Sequence, residues 1–217
     1  MIGLLGGTFD PVHLGHLDVA HAALQSLSLE RVLFIPAHVP PHRAFPSASG
    51  ADRFAMVELA IKIEPRFEAS TIELDAEGPS YTAVTIDRFL AAGRTSSDLC
   101  FVTGADAFSG VTTWHDYPAL LDRCHFAVVS RPGFPASVVR ATLPEFTDRM
   151  IDIKDRYQKP ARTSIFLIDA PTAPVSSTDV RACITRGASL VGLVPDVVAG
   201  YIDAHRLYTT EAHGHCS

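Results

Sequence analysis

Apolar residues fall along this chain in short continuous runs, separated by longer segments with helical spacing. Ile2 to Leu5 is the first run and ends at Gly6-Gly7. Leu14, Leu17, Ala20, Leu24 and Leu27 then recur at the spacing of one helix face. Arg31 to Pro36 reads as a buried strand, and Ala51 to Ile63 as a helix with Phe54, Val57 and Ile61 turned inward. Phe67 to Leu74 reads as extended and Glu77-Gly78-Pro79-Ser80 as a loop. Tyr81 to Ala92 reads as a helix ended by Gly93. Leu99 to Thr103, Phe126 to Val129 and Ile165 to Ile168 are further short apolar strands. Strands alternating with helices predict an α/β fold. Its mostly parallel sheet would be flanked by helices, with a small helical element near the C-terminus.

Two segments break the pattern. Pro40 to Gly50 is rich in Pro, Ser and Ala and reads as a mobile loop. Gly133 to Thr163 has no clean period and reads as an insertion or interface segment. With 217 residues, 47% of them hydrophobic, the chain can bury a substantial core. We expect one domain over 1–210 and a disordered tail over 211–217, where His213, His215 and Cys216 sit too near the end to suggest a functional metal site.

Charge and cysteines narrow the class. A formal net charge of −6 with 19% charged residues argues against nucleic acid as a partner. Cys100, Cys124, Cys183 and Cys216 form no Cys-x-x-Cys pair. The start lacks the basic and apolar regions of a secretory signal. The apolar stretch Leu190 to Ile202 is broken by Pro195 and Asp196, which argues against a membrane span. The expectation is a soluble protein of the reducing cytoplasm with free thiols; homo-oligomerisation stays open.

Candidate chemistry concentrates in Gly6-Gly7-Thr8-Phe9-Asp10-Pro11-Val12-His13-Leu14-Gly15-His16. Glycines 6 and 7 let backbone N–H groups approach an anion, and the following helix start favours negative charge. His13 and His16 can donate hydrogen bonds to phosphate oxygens as charge builds there. A purely structural turn and a two-histidine metal ligand pair are the competing readings, but no Glu-x-x-His or cysteine pair completes a metal site. The loop lacks the Gly-Lys-Ser/Thr ending of a P-loop and the Gly-x-Gly-x-x-Gly of dinucleotide folds. Far along the chain, Ser176-Ser177-Thr178-Asp179-Val180-Arg181 opens a second predicted helix. Its cap and first-turn N–H groups suit an anion, and Arg181 lies about one turn further in. In isolation an ordinary capped helix with one exposed Arg is the better explanation.

Together these residues resemble a known family. His13-Leu14-Gly15-His16 is similar to the His-x-Gly-His signature of the nucleotidyltransferase superfamily, and GGTFDPVHLGH resembles bacterial nicotinate-nucleotide adenylyltransferases in particular. The similarity runs from Gly6 to about Tyr208 and implies a Rossmann-like fold. It also implies an activity that joins ATP to nicotinate mononucleotide, releases pyrophosphate and forms the dinucleotide precursor of NAD. By this resemblance the nucleotide side comprises Gly6, Gly7, Thr8, Phe9, His13, Gly15, His16, Gly104, Asp106, Ser176, Ser177, Thr178 and Arg181. His13, His16 and Arg181 would be catalytic, and Mg²⁺ would be carried mainly by the ATP phosphates.

The resemblance also implies an acceptor side. Pro40-Pro41-His42-Arg43 is similar to a Pro-Pro-His-Lys segment that closes over phosphates, with Arg43 where lysine is usual. Thr82, after Gly78-Pro79-Ser80-Tyr81, would help to hold the nicotinate end, and Trp114 would stack on the pyridine ring. His115 stands where some relatives carry Tyr, and Arg131, before Pro132, matches a family position with a structural or phosphate-proximal role. Read without the resemblance, Thr82 and Asp106 are ordinary helix caps and Trp114 is core. The remaining alternatives are a nicotinamide-nucleotide or phosphopantetheine adenylyltransferase, or a non-catalytic nucleotide-binding module.

Overall fold

The computed structural model describes residues 1–41, 45–153, 160 and 162–209. His42, Arg43 and the tail 211–217 lie outside the described residues. Seven strands form one sheet: β1 (Ile2–Gly7), β2 (Val32–Pro36), β3 (Phe67–Ala69), β4 (Leu99–Gly104), β5 (His125–Val129), β6 (Met150–Asp152) and β7 (Ile165–Ile168). Their order is β3-β2-β1-β4-β5-β7-β6, and every neighbouring pair is parallel. This is the expected α/β, Rossmann-like architecture.

A parallel sheet buries both faces, so each strand needs apolar side chains on both sides. Leu5, Phe34, Cys100, Val102, Phe166 and Ile168 project to one core. Helices α1 (Leu14–Ser26), α2 (Gly50–Ile61), α7 (Ser177–Thr185) and α8 (Asp196–Ala204) cover that face. Leu4, Leu33, Phe101, Phe126 and Leu167 project to the other core. It is covered by α3 (Thr82–Ala91) and three single-turn helices, α4 (Ala105–Phe108), α5 (Leu120–Arg123) and α6 (Val139–Thr142). Among the described residues no helix is long and apolar enough to cross a membrane.

Three expectations shift. The extended run from Phe67 stops at Ala69, and a turn occupies the rest as far as Leu74. The inner face of α2 is rotated: Phe54 is only half-buried, while Arg53 is 2% exposed alongside Met56, Val57, Ala60 and Ile61. Backbone carbonyls of Thr8 and Ala48 satisfy the buried guanidinium. Gly133 to Thr163 supplies α6 and edge strand β6, whose three residues are too few to show a period.

Connections leave β1 and β4 in opposite directions along the sheet, and a crevice opens between their carboxyl ends. The loop from Thr8 to His13 follows β1, while Gly104-Ala105-Asp106 follows β4. Phe9 packs near Phe34 at 5.8 Å, and Phe34 packs edge-on to Phe67 at 5.1 Å. Phe34 therefore carries both core and loop. Phe34→Ala is expected to cost about 3–5 kcal/mol of unfolding free energy in urea titrations; a loss below about 1 kcal/mol would contradict this packing role.

Candidate active site

The crevice is a cavity of about 850 Å³, within the range that holds small-molecule ligands. Every sequence-derived site residue inside the described set lines it. From the first loop and α1 come Gly6, Gly7, Thr8, Phe9, His13, Gly15 and His16. Ser176, Ser177, Thr178 and Arg181 arrive from the start of α7, about 165 residues later. Thr82 at the start of α3, Gly104 and Asp106 after β4, Trp114, His115 and Arg131 form the remaining walls. His42 and Arg43 lie outside the described residues.

Phe9 adopts a left-handed backbone with φ of 49°, unusual for a bulky residue, and its ring is buried against the edge of His16 at 4.9 Å. His13 is the N-cap of α1, and its N–H donates to His16 Nδ1 at 3.2 Å. The two imidazoles stack with centroids 3.6 Å apart. With Nδ1 accepting, a neutral His16 ring carries its proton on Nε2. His13 is 4% exposed, and its Nδ1 has no hydrogen-bond partner among the described residues. Burial, reinforced by the Arg131 guanidinium, pushes its pKa down to about 3, against a smaller opposing pull from Asp179. At neutral pH the ring is uncharged.

Arg131 crosses the start of α1. Its Nη2 donates to the Val175 carbonyl at 2.8 Å and its Nη1 to the Ala173 carbonyl at 3.4 Å. A Cβ on Gly15 would stand 2.4 Å from Nη1 and 3.2 Å from the Ala173 carbonyl oxygen, so a larger residue here displaces the guanidinium. A Cβ on Gly104 would lie 2.4 Å from Asp106 Oδ1 and 2.9 Å from Arg131 Cγ, so a larger residue there shifts both side chains. Much of Arg131's donor capacity thus goes to the segment that leads into α7.

At α7, Ser176 caps the helix. Its hydroxyl donates to Asp179 Oδ2 at 2.6 Å and accepts the Asp179 N–H at 3.1 Å. Ser177 donates to the Pro11 carbonyl at 2.9 Å, fastening the helix start to the first loop. Both hydroxyls are engaged within the protein. The first-turn N–H groups of Ser177 and Thr178, which have no acceptor inside the helix, are the stronger anion donors. Arg181 Nη1 donates to the Asp10 carbonyl at 2.5 Å and lies 3.7 Å from Asp10 Oδ2.

On the opposite wall, Trp114 is half-buried, edge-on to Phe101 at 6.0 Å and to Phe108 at 6.2 Å. His115 is exposed and stacks on Tyr81 at 4.5 Å. Glu73, which the sequence reading did not assign, also lines the cavity and accepts Thr85 Oγ1–H at 2.5 Å. Burial raises its carboxyl pKa, opposed by hydrogen bonds from Thr85 and Ser80. Ser80 in turn accepts the His38 N–H at 2.8 Å, so the loop before α3 is braced from behind.

Asp10 was also unassigned, and it joins the loops. It is 5% exposed, and its carboxylate accepts the Ser47 N–H at 2.8 Å, the Ala48 N–H at 3.0 Å and the Tyr208 hydroxyl at 2.9 Å. The far end of the segment expected to be mobile is therefore pinned at Ser47 and Ala48. Among the described residues, no group of three or more His, Cys, Asp or Glu side chains stands close enough to hold a metal ion.

Residues 4–183 match the cytidylyltransferase-like family model. A protein of Cronobacter sakazakii named "Probable nicotinate-nucleotide adenylyltransferase" is 38% identical over 204 residues, covering 94% of this chain and 93% of that one. The namesake of Yersinia pestis is 36% identical over 210 residues, covering 96% and 95%. Among solved structures, nicotinic acid mononucleotide adenylyltransferase of Plasmodium falciparum, complexed with APC, superposes with a TM-score of 0.72. That match has 17% identity and covers 95% of this chain and 96% of that chain, so it speaks for the fold. With motifs, fold and relatives in agreement, the chain belongs to the cytidylyltransferase-like superfamily and, within it, to the nicotinate-nucleotide adenylyltransferases.

Proposed function

We infer that this chain transfers the adenylyl group of ATP to nicotinate mononucleotide, forming nicotinate adenine dinucleotide and pyrophosphate in NAD biosynthesis. The observation that carries this reading is one shared cavity in which the signature loop, Asp106 and the start of α7 face the acceptor set Thr82, Trp114 and His115. We take residues 1–210 as one nucleotidyltransferase domain and the cytoplasm as its compartment. ATP enters as its magnesium complex, with the ion held mainly by the phosphates, since Mg²⁺ keeps several waters and needs few protein ligands.

A phosphate oxygen of nicotinate mononucleotide attacks the α-phosphorus of ATP. One P–O bond forms as the bond to the bridging oxygen of the β-phosphate breaks, and pyrophosphate leaves on the opposite side. The nucleophile is already anionic, so the step needs no general base. Its barrier is lowered by alignment and by donors aimed at the charged phosphoryl oxygens. We assign that work to His13, His16 Nε2, Arg181 and the N–H groups at the starts of α1 and α7. Gly6, Gly7 and Gly15 allow close approach. Thr82, Trp114 and His115 frame the nicotinate end, with Arg131, His42 and Arg43 toward phosphate and Asp106 toward the ribose.

The decisive assay offers magnesium-ATP with nicotinate mononucleotide, nicotinamide mononucleotide or phosphopantetheine and follows pyrophosphate. The highest kcat/KM is expected with the nicotinate acceptor. A higher value with either competitor, or ATP binding without pyrophosphate release from any of them, overturns the reading.

Two substitutions separate the halves of the site. His16→Ala should lower kcat by roughly 10²–10³-fold while the KM for nicotinate mononucleotide stays within about twofold. Trp114→Ala should mainly raise that KM. A kinetic defect confined to ATP in the Trp114 variant would contradict its placement.

His13 also predicts a pH dependence. The folded state holds the ring neutral down to about pH 3, whereas the unfolded chain protonates it near the ordinary value of 6.5. Between these values the unfolded state binds more protons, so the stability contribution falls as pH drops through that window. At pH 5 the loss attributable to His13 amounts to about 2 kcal/mol. The difference in unfolding free energy between wild type and His13→Asn, measured from pH 7 to pH 4, should therefore shift in favour of the variant as pH falls. A difference independent of pH would refute the buried neutral ring.

A further inference from the structure

Tyr208 lies four residues beyond α8, with a left-handed φ of 62°, and is not among the cavity-lining residues. Its ring packs against the core under α8, and its hydroxyl reaches back to Asp10 Oδ1 at 2.9 Å. Asp10 is where the first loop, α7 and the segment entering α2 meet. Tyr208 O–H and Ala48 N–H donate to Oδ1, Ser47 N–H donates to Oδ2, and Arg181 Nη1 stands 3.7 Å from Oδ2. Three hydrogen-bond donors and one guanidinium charge converge on a group that has about four acceptor positions. A carboxylate satisfies them, whereas an amide would turn two N–H bonds against them. On the other side of the loop, Arg53 donates to the Thr8 carbonyl at 2.7 Å and to the Ala48 carbonyl at 3.3 Å.

We propose that Tyr208 is a positioning residue for the ATP phosphates: through Asp10, its hydroxyl fixes the first loop, segment 45–48 and the Arg181 guanidinium before nucleotide binds. The segment reaching Tyr208 is thereby part of the active-site framework, although Tyr208 does not line the cavity. Without the phenol, Asp10 keeps its two backbone donors and its carboxylate is freer to turn toward Arg181, drawing that guanidinium away from the phosphates. This inference rests on the adenylyl-transfer reading above.

The test uses the full chain with Tyr208→Phe, which removes one oxygen and keeps the ring. Tyr201→Phe is the control, since its hydroxyl donates to Asp52 Oδ1 at 3.0 Å from the same C-terminal segment without reaching Asp10. Magnesium-ATP binding is measured by calorimetry without acceptor, and KM and kcat are measured with nicotinate mononucleotide. Tyr208→Phe should weaken ATP binding roughly three- to tenfold and raise the KM for ATP, with the KM for nicotinate mononucleotide within about twofold of wild type. Tyr201→Phe should leave all three values unchanged. Asp10→Asn should show a larger loss in ATP binding, and adding Tyr208→Phe to it should cause no further loss; if Asp10→Asn does not fold, the two tyrosine variants decide alone. Equal effects of the two tyrosine variants, equal effects on both substrates, or a lowered Tm with unchanged ATP binding would overturn the proposal. Wild-type protein that binds ATP but releases no pyrophosphate would instead overturn the functional reading, while the calorimetry would still test Tyr208.

Discussion

The parting of the chain at β1 and β4 is the constraint from which the rest of the molecule follows. Helical connections leave these neighbouring strands toward opposite edges of the sheet, so nothing packs over their carboxyl ends. Backbone that would elsewhere be covered is left facing a crevice, and the starts of α1 and α7 converge on it. The close fit of Arg131 over Gly15 follows from this convergence. The guanidinium bridges β5's exit to the segment before α7, and any side chain on Gly15 would force it away. Fold and site share this contact.

The electrostatics show why an acidic chain can accept polyanionic substrates. A formal net charge of −6 opposes ATP at long range, yet screening at physiological salt confines that effect to about a Debye length. Inside the cavity, two helix starts, Arg131 and Arg181 present positive potential at short range, where low dielectric strengthens it. Asp10 adds negative charge beside Arg181, but its carboxylate is taken up by internal donors.

Much of this was legible in the sequence, and the remainder has a common physical reason. Continuous apolar runs located five of the seven strands, because buried parallel strands need apolar residues on both faces, and β3 lay inside the longer extended reading Phe67 to Leu74. β6 escaped, since three residues such as Met150-Ile151-Asp152 carry no period. Arg53 escaped because its burial depends on carbonyls of Thr8 and Ala48 that only the folded loop supplies. Asp10 stood inside the motif, yet its work depends on Arg181 and Tyr208, separated from it by 171 and 198 positions. Local pattern reveals which residue types meet a phosphate. It does not reveal which groups brace them from behind.

That bracing bears on the kind of catalysis the cavity can support. A general acid or base near neutrality needs a pKa close to the working pH, and His13 is far from it, held neutral by burial and by Arg131. His16 is oriented by an N-cap hydrogen bond, and Arg181 by the carbonyl and carboxylate of Asp10. Each candidate donor is held in place by protein contacts before any ligand arrives. Fixed donors lose little orientational freedom as charge redistributes over the α-phosphoryl oxygens, whereas water or loose side chains would have to reorganise. The character of the site therefore lies as much in Asp10, Arg53 and Gly15, which fix the geometry, as in the imidazoles and guanidinium that line the cavity.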